Sequence, residues 1–204
     1  MGDLPSRALK AWLHLDGKEG VARDVKRAFE LAEEGERSGC HHCQGVLARC
    51  YFDGVGCDTD EERSLELALK SSENGSKYGQ CALGACHCLS DGAPAVALYH
   101  LAAVQGLDSA QAKLGEVYDV GYGVAEDNAE SKRWYRLAAA QGHPDALYWV
   151  AFCHMQCFLQ ADGVPVAVAE AAEAIRWFKR AQAAGHSDTS RSLRTLQKWL
   201  RNQE

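Results

Sequence analysis

Apolar and polar positions between residues 109 and 142 follow two helical stripes punctuated by glycines. Ala110, Leu114, Val117 and Tyr118 stand at i, i+4, i+7 and i+8, one face of a helix over about 109–119. Gly115 lies within that pattern, and its missing side chain lets a partner helix approach closely. Gly121 and Gly123 then break the helix into a turn. Asp127 with Glu130 three residues later predicts a capping box opening a second helix over about 128–141. Ser131, Trp134 and Ala138 are its buried stripe, Gly142 its stop, and Pro144 suits the next first turn. The unit predicted is a helical hairpin. The GxG at 121–123 is a weak nucleotide signal, and no strand precedes it.

The punctuation recurs. Gly39, Gly75, Gly106, Gly142 and Gly185 are separated by 36, 31, 36 and 43 residues. Eight residues after them stand Leu47, Leu83, Leu114, Val150 and Leu193; eight before stand Leu31, Leu67, Leu98, Trp134 and Trp177. Twelve after the first four come Tyr51, His87, Tyr118 and His154. Asp24 and Asp60 take the place of Asp127, and Gly54 with Gly56 repeat the turn. Length varies between the two halves of a unit: LSDGAPAV is five residues short, whereas FLQADGVPVAV gains seven and carries its first helix to about 158. Repeats near this length with helical periodicity mean stacked helix pairs. The expected fold is all-α, an α/α superhelical solenoid forming one domain over 1–204. It comprises a partial unit at 5–39 with a poorly matching first helix, units at 40–75, 76–106, 107–142 and 143–185, and a capping helix at 186–204.

Composition narrows the function. No apolar run is long enough to cross a membrane, and the N-terminus lacks the basic-then-apolar order of a secretory signal. Gly2 and Ser6 fit a loose myristoylation pattern, against which Asp3 and Pro5 weigh. A net charge of −6 repels phosphate backbones and anionic lipid, so nucleic acid and membrane insertion are not expected. The last helix is basic, but Arg191, Arg194, Lys198 and Arg201 lie opposite Leu193, Leu196, Trp199 and Leu200, which reads as a solvated face. Nine cysteines without a secretory signal imply reduced thiols and a cytoplasmic location.

The pattern A-x-x-x-L-G-x-x-Y-x-x-G-x-G-V, followed by D, a small residue, W and A-A-x-x-G, resembles the Sel-1-like repeat, a relative of the tetratricopeptide repeat. Ala110, Leu114, Gly115, Tyr118, Gly121, Gly123 and Val124 carry its first half, and Asp127, Trp134, Ala138, Ala139 and Gly142 its second. CQGVLARCYFDGVG at 43–56 matches fairly, and the units at 79–106 and 146–185 are degenerate. The resemblance implies an adaptor that assembles other macromolecules. Some cysteine-rich bacterial members are linked to β-lactam binding or hydrolysis, with paired cysteines joining the helices of a repeat, a pattern absent here.

Candidate chemistry centres on cysteine and histidine. Cys40-His41-His42-Cys43 offers half a zinc site or a redox pair at a helix start, but no second half follows at suitable spacing, and Cys43 shares the column of buried Ala110. Cys50, Cys86 and Cys153 share the column of Val117, with His87 and His154 in that of Tyr118, a ladder that reads as core packing. The two histidines are expected to meet backbone carbonyls, and Cys153 with Cys157 is half a site at most. No Ser-His-acid or paired-carboxylate set is assignable, so no catalytic residue, metal ligand or cofactor is expected.

The first helix of each pair usually lines the concave side of such a solenoid. Columns off the buried stripe read Val46, Ala82, Lys113, Trp149; then Arg49, Ala85, Glu116, Phe152; then Asp53, Leu89, Val120, Gln156. Arg49, Asp53, Lys113, Glu116, Trp149 and Phe152 are therefore the candidate protein-binding residues, since aromatics and arginine dominate binding hot spots. The expected partner is a protein or peptide segment in that groove, held by a non-enzymatic adaptor. The rival is an enzyme or a metal, haem or redox carrier built on the cysteines and histidines. A third reading makes the chain one module of a longer scaffold.

Overall fold

The computed structural model describes residues 4–18, 20–88 and 92–202. Gly2 and Leu89 lie outside the described residues. Among those described there are eleven helices and no strand, an all-α repeat solenoid fold. The helices form two compact units, one of residues 1–110 with 120–126, the other of 111–119 with 127–204. The first holds α1 (Leu4–Asp16), α2 (Val25–Arg37), α3 (His41–Asp53), α4 (Glu61–Glu73), α5 (Lys77–His87) and α6 (Gly92–Val104). The second holds the central part of α7 (Asp108–Val120), then α8 (Asn128–Ala140), α9 (Pro144–Leu159), α10 (Val164–Ala183) and α11 (Thr189–Arg201).

The pairs share a hydrogen-bond plan. Asp24, Asp60 and Asp127 sit in extended backbone and cap α2, α4 and α8, accepting from the N–H of Arg27, Arg63 and Glu130. The N–H of each aspartate donates back to the helix before it, to His14 O at 2.9 Å, Tyr51 O at 3.1 Å and Tyr118 O at 2.9 Å. Those backbone donors are therefore already used, so the expected capping box is half formed, and Glu130 turns to Arg133 at 3.1 Å. The shared bond also sets register in the first unit. His14 holds the place of Tyr51, and α1 is a full helix of 13 residues despite its poor match in sequence.

Each second helix ends alike. At the close of α8, Gly142 adopts φ +85°, with Gly142 N–H donating to Ala139 O and His143 N–H to Ala138 O, both at 3.1 Å. The same two bonds recur at Gly39, Gly75, Gly106 and Gly185, a Schellman finish at all five glycines. The third pair, with the least regular sequence, keeps it.

The first unit packs Cys43, Val46, Leu47 and Cys50 of α3 with Leu67 of α4 and Tyr99 of α6 among its buried side chains. In the second unit one cluster gathers Ala112, Tyr135, Ala138, Ala139, Leu147, Val150 and Ala181. Another gathers Ala151, Ala171, Ala174, Phe178, Leu193 and Leu196. As expected, α9 runs past 158, to Leu159.

Candidate protein-binding surface

In the first unit the candidate side chains are engaged by their own neighbours. Arg49 Nε bonds Asp53 Oδ2 at 3.0 Å, an i,i+4 pair, while its guanidinium lies 5.0 Å from the centre of the Trp12 ring. Trp12 is buried and packs on Tyr78 of α5, ring centres 5.0 Å apart. Just beyond the end of α1, Lys18 bonds Asp16 at 3.1 Å and also Asp108 at the start of α7. Val46 and Ala82, expected off the buried stripe, are buried, because α3 packs against both α1 and α5. Trp12 falls in the column of Arg49 once His14 is aligned with Tyr51. His14 stands ten residues before Asp24, against nine from Tyr51 to Asp60, so spacing alone hides that register.

The second unit leaves its candidates more open. Lys113 and Glu116 pair at 2.7 Å with about half of each side chain exposed. Trp149 is half-buried and lies flat on Tyr135, ring centres 4.5 Å apart and planes 19° off parallel. Tyr135 in turn rests against Gly115, where an added Cβ would stand 2.6 Å from the ring. Such packing fixes Trp149 in one orientation. Phe152, one turn further along α9, is exposed, as is Gln156. The longer fourth pair therefore does not bury Phe152.

The cysteines are all free thiols. Cys40 caps α3, its sulfur accepting from Cys43 N–H at 3.4 Å, and Cys43 is fully buried. Burial and the Cys40 neighbour push the Cys43 thiol well above its ordinary range. Burial likewise raises Cys50 to about 12 and Cys153 to about 11. Thiols held protonated are poor nucleophiles and poor metal ligands. His154, expected from sequence to meet a backbone carbonyl, instead places its Nδ1 2.8 Å from Glu170 Oε2. The carboxylate arrives because α10 packs along α9. Among the described residues no group of three or more His, Cys, Asp or Glu is placed to hold a metal ion. Reactivity should follow exposure. Iodoacetamide at pH 8 is expected to modify Cys157, the exposed thiol, at least about tenfold faster than Cys43 or Cys50, read by peptide mass spectrometry. Equal rates would contradict the packing described.

Helix pairs repeated around an aspartate cap and a Schellman glycine define a helical repeat protein, a fold that generally serves as a protein-interaction scaffold. The Sel1 repeat model matches residues 8–40, 41–76, 108–143 and 144–186, and the chain belongs to that family. The pair α5/α6 lies outside the matched residues, although it ends in the same way. Chitin synthase regulatory factor 3 of Schizosaccharomyces pombe is 32% identical over 137 residues, covering 62% of this chain. The aligned part is 14% of that protein's length. A Sel1 repeat protein from Oxalobacter formigenes superposes with TM-score 0.61 at 22% identity, over 94% of this chain and 75% of its own. A protective antigen of uropathogenic Escherichia coli with an SLR fold gives TM-score 0.57 at 24% identity, over 90% and 39%. These likenesses concern the fold.

Proposed function

We propose that the chain is a non-enzymatic adaptor whose second unit holds a segment of a protein partner, with Trp149 and Phe152 as anchors and Lys113 and Glu116 beside them. One observation carries this reading: Trp149 is pre-set by its stack on Tyr135 while Phe152 is exposed. A fixed aromatic loses little freedom on binding, which is why aromatic anchors dominate interface energetics. Arg49 and Asp53, offered by sequence for the same role, serve the first unit's own packing around Trp12 in this reading. The nine free thiols fit a reducing, cytoplasmic setting. The name of the fungal relative, a regulatory factor, fits an adaptor better than a catalyst.

The experiment is affinity capture with the intact chain and with the Trp149→Ala, Phe152→Ala double variant, quantified by mass spectrometry. A partner enriched on the intact chain should bind the variant about thirtyfold more weakly or worse. Circular dichroism confirms that the variant is folded. Unchanged capture by the folded variant removes the assignment.

A further inference from the structure

We infer that α11 is a second docking surface, for an extended acidic segment of a protein partner, distinct from the aromatic surface on α9. Most other helices that carry exposed cations pair at least one of them with a carboxylate within a turn. Arg27 meets Glu30, Arg37 meets Glu33, Lys70 and Arg63 share Glu66, Arg133 meets Glu130, and Arg176 meets Glu173. Helix α11 departs from that rule. It presents four cations, Arg191, Arg194, Lys198 and Arg201, and no carboxylate, in a chain whose net charge is −6. All four are exposed, and none forms an ion pair with a described carboxylate.

Register shows which face this is. Counting from Gly142 and Gly185, the four cations occupy the positions of Tyr148, Ala151, Met155 and Phe158 on α9. On α9 that face is covered. Tyr148 stacks on His186 and meets Phe178 edge-on, Ala151 is fully buried, and Met155 and Phe158 pack on the same core cluster. In α11 the equivalent face has no covering helix among the described residues, and it is basic instead of apolar. A row of one sign on an uncovered face attracts its opposite.

The row also selects the occupant. Leu193 and Leu196 are buried beneath α11, so the helix has no free apolar face to insert between lipids, and a bilayer is disfavoured. Spacings of i, i+3, i+7 and i+10 place the charges along one line about 15 Å long. An extended stretch of about five residues spans that length, presenting alternate carboxylates to the cations. Three of the four are arginines, whose planar forks grip carboxylates in pairs.

The test uses the full chain and a fluorescent ten-residue peptide alternating glutamate and alanine, with a glutamine-for-glutamate peptide as its control. Fluorescence anisotropy should show binding of the glutamate peptide only, weakening at least about tenfold between 50 and 500 mM NaCl. The R191Q, R194Q, K198Q, R201Q variant should lose at least about tenfold in affinity. A variant carrying glutamine at Arg27, Lys70, Arg133 and Arg176 should stay within about twofold of the parent. Equal loss in both variants would show only net charge and overturn the inference. So would binding to phosphatidylserine vesicles without binding to the peptide. Low-salt self-association abolished by the α11 variant, seen by light scattering, would make the occupant a second copy and overturn it as well. W149A/F152A should bind this peptide normally, so failure here is separable from failure of the aromatic surface.

Discussion

Gly45→Ala is expected to lower the thermal unfolding midpoint by about 4–8 °C. Gly45 lies where α3 meets α4 and α5. A Cβ there would stand 2.7 Å from the Tyr78 carbonyl carbon and 2.8 Å from Ser71 Oγ, and would run into the backbone nitrogen of Gly79. Two of those three walls are helix backbone, which cannot rotate aside. The third is fixed as well, since Ser71 Oγ donates to His41 O at 2.6 Å. Alanine favours a helix over glycine by about 1 kcal/mol, but separating two packed helices costs about 1–3 kcal/mol or more. Overpacking therefore wins. Gly106→Ala is the control, because nothing lies within 4 Å of its Cβ position and only its φ of +80° resists the change. Circular dichroism melts of both variants check the prediction; a Gly45→Ala midpoint equal to the parent's would refute the close approach.

Phe178→Ala should cost the second unit about 3–5 kcal/mol. The ring is fully buried among Ala151, Ala171, Ala174, Leu193 and Leu196, with Tyr148 edge-on at 5.5 Å. Three of those five neighbours are alanines, too short to reach into the space a truncated ring leaves, so the cavity persists. Phe178→Leu keeps most of the volume and should cost less than half as much. Urea unfolding followed by tryptophan fluorescence reads both, since Trp177 and Trp199 pack on the same cluster. Near-equal losses for the two variants would mean that the site collapses freely, contrary to the packing described.

The fold was legible because its punctuation is local. Each of the five glycines must adopt a backbone conformation other residues resist, and each aspartate must offer a side-chain acceptor at a helix start, so both leave marks in sequence. Trp12 was not legible. Its role depends on α1 packing, and α1 has neither the Leu-Gly pair of α5 and α7 nor the tyrosine of α3 and α7; only a backbone bond from Asp24 to His14 reveals the register. Val46 and Ala82 show a second limit. A column read from one repeat assumes the same depth in every repeat, whereas short Val46 and Ala82 are buried where long Lys113 stays exposed. The half-formed capping box has another origin, a donor consumed by a contact beyond the helix. Glu170 reached His154 from a separate helix for which spacing gave no sign. Periodicity reports what a helix needs of itself, and these residues answer to their neighbours.

Photo-crosslinking gives the most direct reading of the aromatic surface. Benzoylphenylalanine placed at Phe152, irradiated in the presence of the captured partner, is predicted to yield a covalent complex through α9. The same probe at Leu65, exposed on α4, should yield none. Crosslinks from Leu65 with silence at Phe152 would place the partner on the opposite kind of helix and contradict the assignment.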